Sequence, residues 1–342
     1  MTSFKRRKFL KTAMVTGFGL GIANVAKASV FVEQLTPKEI RVGMVGLSVH
    51  SAAFSQILND PEKTSDLEGC KVVALYHPQG NPDVDFTEEQ LSKFEADIRE
   101  VGVKITASMK EMLDLVDVVM IETNDGRPHL EEVLPALQAG KTVFVDKPVA
   151  ADLAGVLELY KKANEFKVPV FTSSALRYVE NASKIDRSKV LSAFTYSPAS
   201  LEKSHTDLFW YGIHGVELLY TVMGAGCKEV MQVQHTEEED VVIGYWDNSR
   251  TGTVRGIRSG RGGFGGTVFM KDEIIALDPF IGYRPLVVKI VEFFKTNIPP
   301  VPVEETIEIY TFMEAAQESA RLGGIKVSLD KTLKNAYKSI NQ

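Results

Sequence analysis

Between residues 39 and 173 the chain alternates short apolar runs with stretches of helical spacing. The first run, 40–46, is almost continuously apolar, as expected of a strand buried on both faces of a parallel sheet. Runs of the same kind recur at 71–76, 103–106, 116–122, 142–145 and 168–173. Residues 51–58, 87–102, 108–115, 129–139 and 152–166 read as the helices between them. Thr87-Glu88-Glu89-Gln90 has the form of a capping box, Asp152 suits a helix N-cap, and Gly102 and Gly140 stand where helices stop. Strands alternating with crossover helices predict an α/β fold with a doubly wound parallel sheet.

Beyond Arg177 the period changes. Residues 208–223 read as a helix closed by Gly224. Period-two runs follow at 230–235, 241–246, 251–258, 266–271 and 273–277, and helices near 284–296 and 304–322 finish the chain. Closely spaced strands without intervening helices predict an α+β domain with a mostly antiparallel open sheet. Glu237-Glu238-Glu239-Asp240 reads as a solvated turn between two of these strands. The domain division is therefore 36–177 and 178–342, with no flexible linker or repeat. At 342 residues and 44% hydrophobic content, the chain can bury both cores.

Residues 1–28 follow another pattern. Lys5-Arg6-Arg7-Lys8-Phe9-Leu10-Lys11 precedes an uncharged stretch of 15 residues, and Ala26-Lys27-Ala28 then forms an A-x-A cleavage site. The stretch is too short to span roughly 30 Å of hydrocarbon. The arginine pair followed by Phe-Leu-Lys resembles a twin-arginine export signal, with Lys5 in the usual Ser/Thr place. That resemblance implies passage of a folded protein through the twin-arginine machinery, cleavage after Ala28 and a periplasmic location. The segment holds six of the 39 basic residues and no acid, so the remainder carries 33 basic against 45 acidic residues, a net of −12. Such a surface argues against nucleic acid or an anionic membrane as partner. Cys70 and Cys227 make no disulfide framework and are expected as two buried thiols.

The turn after the first strand is Gly46-Leu47-Ser48-Val49-His50-Ser51. In a doubly wound fold this turn meets the pyrophosphate of a dinucleotide at the start of a helix. Against G-x-G-x-x-G only Gly46 survives, and serines fill the other two glycine places. A literal match, Gly260-Arg261-Gly262-Gly263-Phe264-Gly265, lies between two strands with no helix after it, so it reads as a glycine-rich hairpin or bulge. The second strand ends in Tyr76-His77-Pro78-Gln79 without an acid or arginine, leaving NAD and NADP both open. His77 and Gln79 could hydrogen-bond an adenosine ribose, and the segment reads equally as a surface turn.

The fifth strand runs into Asp146-Lys147-Pro148, which puts a lysine at the mouth of the cleft. Near a positive nicotinamide its ammonium pKa should fall, suiting proton transfer or carbonyl polarisation. Here the chain resembles the Gfo/Idh/MocA oxidoreductases: Val-Phe-Val-Asp-Lys-Pro is similar to their Glu-Lys-Pro segment, with Asp146 for the glutamate. Thr123-Asn124 to His129, Ala139-Gly140-Lys141, Ser174 to Tyr178, Ile213-His214-Gly215-Val216-Glu217 and Glu314 to Ser319 resemble further family segments in order. The resemblance implies an NAD(P)-binding Rossmann fold, with Thr123, Asn124 and His129 along the nicotinamide and Asp146, Lys147 and Pro148 beside it. It implies that Lys147 orients the substrate and His214 is the general base. Arg177, Tyr178 and Glu217 fall to the substrate side, Glu217 fixing the imidazole or holding a substrate hydroxyl.

The chain departs from the family at its glycine loop, at Asp146, and at Trp210, where many members carry an aspartate. Trp210 and Tyr211 make that end of the site aromatic, which suits the C–H faces of a sugar ring and equally a helix core. The resulting expectation is hydride transfer to or from a sugar, glycoside or polyol, with no metal. NAD-assisted glycoside cleavage and a non-catalytic binding protein stay open. A homo-oligomer is implied through the open sheet. Export favours a cofactor loaded beforehand and held tightly.

Overall fold

The computed structural model describes residues 39–80, 84 and 86–341; the expected export signal at 1–28 lies outside them. The first sheet is parallel: β1 (Ile40–Val45), β2 (Cys70–Tyr76), β3 (Lys104–Thr106), β4 (Val118–Ile121), β5 (Val143–Val145) and β6 (Val170–Phe171), in the order β3-β2-β1-β4-β5-β6. Direction of winding reverses between β1 and β4, and ligands bind outside the carboxyl ends at such a switch point. The crossovers are α1 (Val49–Asn59), α2 (Glu88–Glu100), α3 (Met109–Leu115), α4 (His129–Gln138) and α5 (Leu153–Phe166). Their starts follow local chemistry: Ser48, Thr87, Ser108 and Asp152 each accept a backbone N–H of the first turn, and Thr87 with Gln90 closes the expected capping box.

The second sheet contains β7 (Val190–Pro198), β8 (Cys227–His235), β9 (Glu239–Trp246), β10 (Thr251–Ile257), β11 (Gly265–Met270), β12 (Ile274–Ala276) and β13 (Val327–Ser328), in the order β12-β11-β7-β10-β9-β8-β13. Neighbours run antiparallel except β7 and β10. Hydrophobic pattern does not reveal β7, because its buried positions mix apolar Val190 and Ala193 with polar Thr195 and Ser197. Thr195 Oγ1 donates to Gly215 O at 2.8 Å and Ser197 Oγ accepts the Gly215 N–H at 3.2 Å, bonds that seat a helix on this strand.

The helices here are α6 (Asp207–Trp210), α7 (Ile213–Met223), α8 (Arg284–Thr296), α9 (Val303–Arg321) and α10 (Leu329–Ser339). The continuous helix expected over 208–223 is broken at Tyr211, whose φ of −135° leaves the helical region. Although α8 belongs to the second half of the chain, it packs on the first sheet. Its Leu286, Ile290 and Phe293 join Val42, Phe54, Phe144 and Phe171 in one buried cluster. Asp240 departs from the solvated-turn reading: it lies in β9, fully buried, accepting from Gln232 Nε2 at 2.7 Å and paired with Arg258. Both cysteines are free and buried. Among the described residues no helix is long and apolar enough to cross a membrane.

Candidate active site

Gly46 ends β1 with φ 95°, a region closed to residues carrying a Cβ. A Cβ there would stand 2.5 Å from the Thr123 amide nitrogen, so the loop after β4 also demands glycine. The two serines do not imitate the missing glycines. Ser48 Oγ accepts the Ser51 N–H at 3.1 Å; Ser51 Oγ accepts the Ser48 N–H at 2.8 Å and donates to Ser48 O at 3.0 Å. Ser51's hydroxyl is thus spent within the loop. The Ser48 hydroxyl proton and the first-turn N–H groups of Val49 and His50 remain for a ligand. Donors of this kind at a helix start fit a phosphate-bearing group, so the residues present suit a dinucleotide.

At the carboxyl edge of the first sheet lies a cavity of about 390 Å³. It is lined by Ser48, Val49 and His50 from the start of α1, Asn124 after β4, Asp146 and Lys147 after β5, and Trp210, Tyr211 and His214 around the helix break. The break therefore does positional work, turning two aromatic rings and the start of α7 toward the cleft. Buried His205 supports the arrangement: its Nε2 accepts the Gly126 N–H at 3.2 Å, and its ring lies 4.9 Å from Trp210.

Four charged or titratable groups converge on the cleft. His50 Nδ1 is 2.5 Å from Asp146 Oδ2, and its ring stacks on Phe54 at 5.3 Å with Tyr283 edge-on at 4.7 Å. Asp146 Oδ1 accepts the Lys147 N–H at 2.8 Å. Burial pushes the Asp146 carboxyl up, yet the His50 imidazole and the Lys147 ammonium hold it below the usual carboxylate value. Burial lowers the Lys147 ammonium, against the pull of Asp146 and Glu122. Its Nζ stands 5.4 Å from the centroid of the Tyr211 ring. His214 Nδ1 meets Ser174 Oγ at 2.7 Å, and burial, followed by Lys147 and His50, holds this imidazole well below 6.5.

Several expected site residues lie elsewhere. Arg177 is buried between Glu217 (2.9 Å) and Glu305, and Glu217 also accepts the Ser174 N–H at 3.3 Å. Neither lines the cavity, since each satisfies the other's charge in the core. Ser174, not Glu217, bonds the His214 imidazole. Tyr178 packs against the core cluster that contains α8. His129 is wholly buried and clasps two backbone carbonyls, Thr123 O at 2.9 Å and Val149 O at 3.2 Å, so it shapes the loops instead of meeting a ligand. Leu47 is a core residue, and Thr123, His77 and Pro148 also stand outside the cavity lining.

The fold adds residues that no motif announced. Phe264, Phe280, Tyr283 and Phe86 form aromatic walls. Phe264 belongs to the literal G-x-G-x-x-G, which connects β10 to β11 and supplies a ring to the cleft in place of a phosphate cradle. Glu122, at the end of β4, is fully buried against Asp146 and His50. Burial, then the Asp146 charge, raises its carboxyl well above the usual range.

A switch-point cleft beside a glycine turn and a helix start, faced by lysine and histidine from opposite halves of the chain, defines a doubly wound, dinucleotide-type enzyme architecture. Residues 40–174 of the 342 match the oxidoreductase family with NAD-binding Rossmann fold, Gfo/Idh/MocA. Inositol 2-dehydrogenase of Azotobacter vinelandii is 34% identical over 90 residues, 26% of this chain and 24% of that protein. The chain matches only a quarter to a third of the length of the curated relatives it resembles. In overall fold it is similar to myo-inositol 2-dehydrogenase from Lactobacillus plantarum (TM-score 0.68, 18% identity, 85% of this chain and 99% of that one). It is also similar to scyllo-inositol dehydrogenase from Lactobacillus casei with bound NAD(H) and scyllo-inositol (TM-score 0.66, 13% identity, 86% and 100%).

Proposed function

We propose that this oxidoreductase uses NAD or NADP to transfer hydride to or from a carbinol carbon of a sugar, glycoside or polyol. The observation that carries the reading is the convergence of Lys147 and His214 on one cleft at the carboxyl edge of a Rossmann sheet. The nicotinamide supplies hydride acceptance or donation when bound. Gly46, the Ser48 hydroxyl and the first amides of α1 would hold its pyrophosphate, with Asn124 and Asp146 further along the cleft.

His214 is the proposed base. Ser174 Oγ takes the Leu176 N–H at 3.1 Å and has a second lone pair for a Nδ1–H of His214. In that tautomer the other ring nitrogen carries a lone pair for the substrate hydroxyl proton. The depressed imidazole pKa keeps it neutral near pH 7. Lys147 donates toward the substrate oxygen and stabilises the charge that develops as the proton leaves. Trp210, Tyr211 and Phe264 offer apolar faces to a ring's C–H groups, and the inositol dehydrogenases of similar fold support a polyhydroxylated substrate. Lys147→Ala and His214→Ala should each lower kcat by about 10²-fold or more. Near-wild-type turnover of a panel of sugars and polyols by both variants would refute these roles.

The same proposal includes export, with mature protein beginning at Ser29, and a tightly held cofactor loaded before export. N-terminal sequencing of exported protein tests the first part; a start at Met1 or Thr2 sinks it. Homo-oligomerisation through the helix-free face of the second sheet is supported by a row of half-buried residues in register, Phe194, Thr253, Ile243 and Met231.

A further inference from the structure

Glu122 is a buried acid without an evident purpose. It is 0% exposed, and neither carboxylate oxygen has a hydrogen-bond partner, the nearby Lys147 ammonium included. Leaving such a group ionised and unpaired costs several kcal/mol, so something must neutralise or bind it. One ligand atom from each of His50, Glu122 and Asp146 lies within 4.8 Å of the others. We propose that these three side chains form a site for one divalent first-row metal ion at the wall of the same cleft, and binding of the ion does not depend on the hydride-transfer reading.

Size and donor chemistry favour an ion. His50 and Asp146 line the cavity whereas Glu122 does not and is 0% exposed, so an ion among the three would lie behind the cavity wall. An ion can enter that space; a sugar or a ribose cannot reach the Glu122 oxygens. One imidazole nitrogen with two carboxylates suits Zn²⁺ or Mn²⁺, bound at about 2.0–2.2 Å. Ligands around such an ion stand roughly 3–3.5 Å apart, so binding spreads the 2.5 Å contact of His50 with Asp146 and draws Glu122 inward. The supporting groups are in place: Phe54 and Tyr283 fix the imidazole plane, and the Lys147 N–H fixes the second Asp146 oxygen. The ion's remaining positions face the cavity, where a substrate oxygen can complete its shell.

The test is calorimetric titration of chelator-dialysed full-length protein with ZnCl₂ and with MnCl₂. One ion per chain is expected, with affinity at least tenfold weaker in Glu122→Gln and His50→Gln. His235→Ala, which alters a separate His–Asp pair, should bind as wild type. Thermal melts establish that the variants are folded; should Glu122→Gln not fold, His50→Gln carries the comparison. Absence of binding, or undiminished binding in the variants, overturns the site. A carboxylic-acid infrared band that Glu122→Gln removes and ZnCl₂ leaves unchanged also overturns it, because Glu122 then holds a proton instead.

Discussion

Arg177 offers the sharpest separation of a structural role from a substrate role. Its guanidinium is 5% exposed, bonded to Glu217 at 2.9 Å and to Glu305, while Glu305 has one further cation, Arg187 at 3.5 Å. Arg177→Met keeps the bulk but leaves two buried carboxylates with only a half-exposed arginine nearby. Breaking a buried pair from one side costs about 3–5 kcal/mol. A folded unit of about 300 residues unfolds with an entropy of roughly 0.6 kcal/mol per kelvin, so Tm should fall by about 5–8 °C at pH 7. Burial already raises the Glu217 carboxyl, and loss of Arg177 raises it further. A carboxyl whose folded pKa exceeds its unfolded value binds more protons when folded, so the variant should regain part of the loss as pH falls toward 5. Urea denaturation and thermal melts at pH 7 and pH 5 measure both effects. A loss below about 1 kcal/mol, accompanied by a tenfold rise in substrate KM, would refute the structural account and return Arg177 to the substrate.

Three other outcomes follow from the site geometry. Gly46→Ala forces a side chain into φ 95° and against the Thr123 backbone, so it should cost about 1–3 kcal/mol and weaken dinucleotide binding, read by melting and by nucleotide titration. Because burial holds His214 well below 6.5, kcat/KM should stay flat through pH 6.5 and fall only at lower pH; a loss centred at 6.5 or above would contradict it. The same depressed pKa means that the unfolded chain takes up the proton first as pH drops below 6.5. Stability therefore declines there by up to about 1.4 kcal/mol per pH unit, and His214→Asn should remove that slope.

Much of the fold can be read from the chain in one dimension. Strands β4, β5 and β6 and most of β1 are buried on both faces, so apolar runs mark them; the helix starts are written in Ser48, Thr87, Ser108 and Asp152, whose side chains act within three residues. Gly46, Asp146, Lys147 and His214 stand out in the sequence because a turn singles out the first, a strand end the next two and a family resemblance the last. β7 was hidden because two of its four buried residues are Thr195 and Ser197, whose partner is the backbone of α7 and not a hydrophobic core. Arg177 and Glu217 illustrate a related reason: charge type suggests a ligand, whereas the fold buries the two, pairs them and leaves them out of the cavity lining.

Local sequence by itself thus determined the alternation of strands and helices, the glycine turn, the helix caps and the presence of a lysine and a histidine whose chemical types can transfer protons. Tertiary structure alone decided which of them meet. It broke one helix at Tyr211 to bring Trp210, Tyr211 and His214 to the cleft, and it turned a decoy glycine loop into the aromatic wall of Phe264. It also placed Glu122, 72 residues from His50 and 24 from Asp146, within reach of both. Caps and turns are interactions between near neighbours in the chain. Neutralising a buried charge depends on groups that only the packed sheet brings together.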